Sequence, residues 1–195
     1  MRANRASETG ENDVGILARF RRDRLNRRIV DQLWEQVVAA ARDPVRFTEG
    51  GLPDTLEGRF EALSLEMIAV LNRISIEPDL KALSQDLVDR FMTDIDHSMR
   101  EIGISYLAVP KRMRKFAARF YTRVRDCQPA MAEGDAASLA DALARTVLSE
   151  AVGGRPDAAS ALAHHMIQQQ ARYAALTNEQ ILAGRLLEPP KTETA

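Results

Sequence analysis

The chain has 195 residues, 45% of them hydrophobic and 28% charged, with a formal net charge of -1, so it can bury one core and only local charge clusters can point to a partner. A single cysteine, Cys127, excludes an intrachain disulfide and a cysteine zinc site. No apolar run approaches the roughly 18 residues of a membrane span, and Glu8, Glu11 and Asp13 set the Arg-rich N-terminus apart from a transit peptide.

Residues 1–12 are polar and aperiodic and read as a disordered tail. A helix is expected from Asp13 to about Ala41, with Ile29, Leu33, Trp34, Val37 and Val38 on one face. Asp43-Pro44 ends it, and residues 45–53, with Gly50, Gly51 and Pro53, read as a loop. Asp54 and Glu57 have the spacing of a capping box for a helix carrying Phe60, Leu63, Met67, Val70, Leu71 and Ile74. Asp79 is placed to cap the next helix. That helix repeats Leu80, Leu83, Leu87, Phe91, Ile95, Met99 and Ile102 and is expected near the centre of the fold. Gly103 is placed to close it in the left-handed conformation.

A short apolar connection, Ile104 to Val109, leads to Pro110 at the start of a helix running to about Asp126. Gly134-Asp135 opens a helix with Leu139, Leu143 and Val147 inward, broken by Gly153, Gly154 and Pro156. Helices from Asp157 to Leu176 and from Thr177 to Ala183 follow, with Gly184 as a stop, and residues 188–195 form a polar tail. No segment alternates with period two. The reading is an all-α single-domain bundle of about six to eight helices over residues 13–187.

Residues 111–125 carry seven basic side chains and no acid. On a helical wheel Met113, Phe116, Ala117, Phe120 and Val124 share one face, and Lys111, Arg112, Arg114, Lys115, Arg119, Arg123 and Arg125 cover the remainder. Such a surface fits a solvated face, an anionic membrane, ribosomal RNA or an acidic partner. Arg19 to Arg28 forms a second cluster. The preceding helix is acidic, and its carboxylates are expected to pair in part with the basic one. Asp94 and Asp96 diverge by about 200° on a helix, which argues against a metal site there. His164 and His165 diverge by about 100°, with one of them expected to be buried. Cys127 reads as an inert thiol. No nucleophile elbow, phosphate loop or metal-helix motif is present, so no catalytic activity and no cofactor are expected.

Two blocks, "GLPDTLEGRFEALSLEM" and "FMTDIDHSMREIGISYLAVPKRMRKFAARFYTR", together resemble the ubiquinol–cytochrome c chaperone family. The pattern is carried by Pro53, Asp54, Thr55, Gly58, Arg59, Phe60 and Glu61, then by Asp94, Asp96, Arg100, Glu101, Gly103, Val109, Pro110, Lys111, Arg112, Phe120 and Tyr121. The chain departs from it at Glu66, where the family pattern has histidine, at Ser105-Tyr106 in place of Gly-Asp, and at Thr122 in place of glycine. The resemblance implies an all-helical chaperone that binds apo-cytochrome b during assembly of the ubiquinol–cytochrome c reductase complex. It also implies a small partner protein, a ribosome or the inner-membrane surface as docking partner. A start without transit sequence points to a bacterial, cytoplasmic member, peripheral at the inner membrane. Lys111, Arg112, Arg114, Lys115 and Arg119 are then the docking charges, and Ile104, Tyr106, Leu107 and Val109 the client-facing loop. Asp54, Arg59, Glu61, Asp94, Asp96, Arg100, Glu101, Gly103 and Pro110 take structural roles. Arg59 is expected in a buried or half-buried ion pair with Glu61, Asp94 or Asp96. The alternative is an RNA- or ribosome-binding helical domain without a cytochrome client.

Overall fold

The computed structural model describes residues 26–148 and 157–186. The expected tails, the first half of the opening helix, Arg19 to Arg24 and the break at Gly153, Gly154 and Pro156 lie outside the described residues. Helix α1 covers 26–41 of the described chain. It is followed by α2 (Val45–Thr48), α3 (Leu56–Ile74), a 3-10 turn (Pro78–Leu80), α4 (Lys81–Glu101), α5 (Val109–Glu133), α6 (Ala136–Thr146), α7 (Ala158–Ala174) and α8 (Asn178–Leu182). Among the described residues there is no strand, and no helix is long and apolar enough to cross a membrane.

The central helix is α3, not α4. Ala62, Leu65, Met67, Ile68, Ala69, Val70 and Ile74 are buried on every side of it, because α4, α5 and α7 all pack against it. A helix apolar all round has no face to give to water and must be enclosed. The regular Leu/Phe repeat of α4 marks a helix with one wet side: Leu83, Leu87, Phe91 and Met99 are buried, while its acids stay outside. Ring contacts link α1, α3, α4 and α5, with Phe91 packing against Trp34, Phe60 and Phe120 at 5.9, 6.1 and 5.0 Å between centroids.

Four local expectations change. The 45–53 loop contains the turn of α2, which buries Arg46. The cap of α3 is Thr55, whose Oγ1 accepts from the Gly58 amide at 3.2 Å, leaving Asp54 free to pair elsewhere. Asp79 caps nothing: it lies inside the 3-10 turn that Pro78 begins, and α4 starts behind it without a side-chain cap. Helix α5 passes through Pro129 and ends at Glu133, seven residues beyond the expected stop. Proline removes the bond to the Arg125 carbonyl, but both residues are exposed, so water can replace it. Gly103, at φ 82, closes α4 as expected, with the Ile104 amide donating to the Met99 carbonyl at 3.1 Å.

The C-terminal elements are tied back by side chains. Arg73 of α3 donates to the Leu176 carbonyl at 3.1 and 2.7 Å and to Asn178 Oδ1 at 2.6 Å. Gln36 of α1 donates to the Gly184 carbonyl at 2.7 Å and accepts from the Leu186 amide at 2.8 Å. Residues 148 and 150 positions apart thereby close the domain.

Candidate functional site

A groove of about 620 Å³ runs between α1, α2, α3 and α4. Val38, Phe47, Leu56, Phe60, Leu63 and Ile95 supply its apolar lining, and Arg42, Asp54, Arg59 and Asp94 its charged groups. Arg59 donates to Asp54 Oδ1 at 2.8 Å, with both side chains 69% exposed. The expected buried partnership of Arg59 with Glu61, Asp94 or Asp96 is therefore overturned. Five residues apart on the loop-to-helix junction, Asp54 and Arg59 reach each other at the surface, and that hydrogen bond holds the Asp54 carboxyl below the usual carboxylate range.

The walls of the groove are positioned from behind by buried charge. Glu61 turns to α5, where Arg123 donates to Oε2 and Oε1 at 3.0 Å each and Arg119 to Oε1 at 2.6 Å. Arg123, expected on the solvated face, is buried, and Arg119, expected among the docking charges, is only 23% exposed. Both are drawn inward because Glu61 has no water to solvate it. The Arg119 guanidinium also lies over the Phe60 ring, 5.8 Å from its centroid. Glu66 turns the other way, to Arg46, to the Tyr173 hydroxyl and to Gln169 Nε2 at 3.3 Å. Burial pushes the Tyr173 phenol up, and the Glu66 carboxylate beside it adds to the shift. Arg46 and Glu66 are fully buried, so one ion pair pins the short α2, and with it Pro44, Phe47 and Thr48 of the groove wall.

Around the basic start of α5, Lys111, Arg112, Arg114 and Lys115 are exposed, while Met113, Phe116 and Phe120 turn inward to differing depths. Arg112, Lys115, Phe116 and Arg119 form a smaller cleft of about 310 Å³ with Leu56 and Glu57, next to the apolar groove. In the expected client-facing loop, Tyr106 and Leu107 are 75% and 88% exposed and Ile104 is half-buried. Val109 is overturned as a contact: it opens α5 and its side chain is fully buried in the core. Ile102, at 57% exposure, joins the loop's apolar surface instead.

Two family-motif residues of α4, Asp96 and Arg100, serve that loop. Asp96 accepts from Arg100 at 2.6 and 3.0 Å, which holds its carboxyl below the usual carboxylate range. The Arg100 guanidinium lies 4.9 Å from the centroid of the Tyr106 ring. Asp94 points instead to Arg90, at 3.9 Å, so the two aspartates diverge as their spacing requires. Asp94 and Asp96 thus find arginines on their own helix, rather than on the basic helix as expected. Glu101 and Pro110 are exposed beside the loop. His165 is the more enclosed of the adjacent histidines, 3.8 Å from Asp43, and burial lowers its pKa. Cys127 is buried and its thiol is pushed up to about 11, chiefly by burial.

Sequence reasoning missed Arg46 and the groove. The signal for the first was present: a mostly apolar helix carrying Glu61 and Glu66 among its buried positions must supply each with a buried cation. Known proteins offer two parallels. The family model described as ubiquinol–cytochrome C chaperone matches residues 48–188. The crystal structure of the Cbp3 homolog from Brucella abortus is 39% identical, with 87% of this chain and 93% of that one covered and a TM-score of 0.74. No curated protein matches.

Proposed function

Because this chain belongs to the ubiquinol–cytochrome c chaperone family, we propose that it is a non-catalytic assembly factor for the ubiquinol–cytochrome c reductase complex, holding apo-cytochrome b before the other subunits join. The observation that supports this reading is the groove between α1, α2, α3 and α4. Its lining is mostly apolar and partly open to solvent, with Arg42, Asp54, Arg59 and Asp94 as its charged groups. An apolar segment of a membrane protein, before it finds its partners, needs such a surface to stay out of aggregates.

The test is a reconstitution. Apo-cytochrome b is synthesised without cells in the presence of the full chain and recovered through a tag on the latter. Leu63→Glu and Ile95→Glu place charge in half-buried lining positions and should abolish recovery, while circular dichroism and melting temperature confirm a folded chain. Recovery equal to that of the unaltered chain would remove the groove as the client site. Failure of the unaltered chain to retain apo-cytochrome b at all would remove the client itself.

A further inference from the structure

We propose that the α4–α5 corner is a docking surface for an anionic lipid bilayer, with Ile102, Tyr106 and Leu107 entering the interface and Lys111, Arg112, Arg114 and Lys115 meeting the headgroups. This goes beyond the client reading and does not rest on it. Three apolar side chains within six residues are 57%, 75% and 88% exposed. Isolated exposed apolar residues are ordinary; a cluster at the tip of a loop is not. Three residues separate Leu107 from Lys111, so the cations begin where the apolar tip ends.

Charge complementarity selects the occupant. Between residues 96 and 115 five basic side chains stand against two acidic ones, and Asp96 is already engaged by Arg100. The four cations of the α5 start are all exposed, and the positive end of a 25-residue helix lies among them. An acyl-chain boundary beneath anionic headgroups accepts both halves of this surface: aliphatic and aromatic groups below, ammonium and guanidinium groups above. RNA would satisfy the cations but would leave Leu107 and Ile102 without a partner. Arg100, held by Asp96, lies over the Tyr106 ring. That contact keeps the aromatic group beside the exposed leucine.

The experiment is flotation of the full chain with vesicles of phosphatidylcholine alone, with phosphatidylglycerol-rich vesicles, and, in a parallel arm, capture on ribosomal RNA. The unaltered chain should float with the anionic vesicles and not with the neutral ones, and added salt should weaken the binding. Each cation replaced by glutamine should lower the partition about fivefold. Leu107→Ser should lower it about tenfold, since the side chain leaves water on docking. All these positions are exposed, so the melting temperature should not move, and salt titration of the unaltered chain tests the charge contribution without any substitution. Equal binding to neutral and anionic vesicles overturns the proposal. So does anionic binding that ignores Leu107→Ser, and so does tighter capture by RNA than by anionic vesicles.

Discussion

Glu61 and Glu66 are five residues apart on one helix and serve opposite sides of it. Glu61 gathers Arg119 and Arg123 from α5; Glu66 gathers Arg46, Gln169 and Tyr173 from α2 and α7. Neither carboxylate has access to water, so deletion leaves a buried guanidinium uncompensated. Glu61→Ala and Glu66→Ala should each lower stability by about 3–5 kcal/mol in a denaturant titration. A loss below about 1 kcal/mol for either would mean that its arginine escapes to solvent. Arg59→Ala, by contrast, should melt with the unaltered chain, because its pair with Asp54 is exposed on both sides. A clear drop in melting temperature would show that Arg59 is anchored by more than Asp54. Cys127 should resist a water-soluble disulfide reagent at about pH 8 until denaturant is added, given a thiol both buried and pushed up to about 11. Rapid labelling of the native chain would contradict that burial. The identities of the buried arginines were not legible from charge patterning alone. A wheel counts seven cations on α5 alike, and only the carboxylate on α3 decides which of them turn inward.

At the scale of elements, helices could be read from periodicity and their ends could not. Apolar spacing located α3, α4, α6 and α7, because each must bury a stripe. The ends depend on competing local bonds: Thr55 outcompetes Asp54 for the first turn of α3 once Asp54 is taken by Arg59. Pro129 does not stop α5, because its missing bond falls on the wet side. The junction before α3 is also sterically closed. A β-carbon at Gly58 would lie 1.8 Å from the Pro53 carbonyl oxygen, so the approach of loop to helix requires glycine. Gly58→Ala should therefore destabilise the chain, despite a helix-propensity gain of about 1 kcal/mol. Thr55→Ala should cost about 1 kcal/mol through the lost cap. Both are read by thermal melts, and a stabilised Gly58→Ala would mean that the loop moves away freely.

For the whole molecule, the all-α class followed from the sequence, whereas the groove did not. Its lining comes from α1 to α4 and includes residues, such as Leu63 and Ile95, that periodicity places simply in an apolar stripe. A groove is where a core is left uncovered, and periodicity does not mark which part of an apolar stripe goes uncovered. Along α4, Ile95 and Ser98 line the groove and Ile102 follows at the same helical face, so the groove leads toward the proposed lipid-facing corner. Buried residues of α1 and of α3 to α8 form one contiguous hydrophobic cluster, so no pair of helices has a core of its own. Unfolding should then be one transition, with Trp34 fluorescence and far-ultraviolet circular dichroism coinciding across a denaturant titration. Separate midpoints would reveal subunits of stability within the bundle.

The enclosure of α3 sets a schedule for synthesis. The arginine that neutralises Glu61 follows it by 62 residues, and the tyrosine that caps Glu66 follows by 107. At translation rates of about 5–20 residues per second, α3 waits on the order of 5–20 seconds for its last wrapping helix. During that interval Glu61 and Glu66 are open to water, and they help to hold an otherwise greasy helix in solution. The charges that lock the finished core are the same ones that keep its nascent form from sticking. A protein proposed to shelter an unfinished apolar client thus carries, in its own third helix, a built-in means of surviving the same predicament.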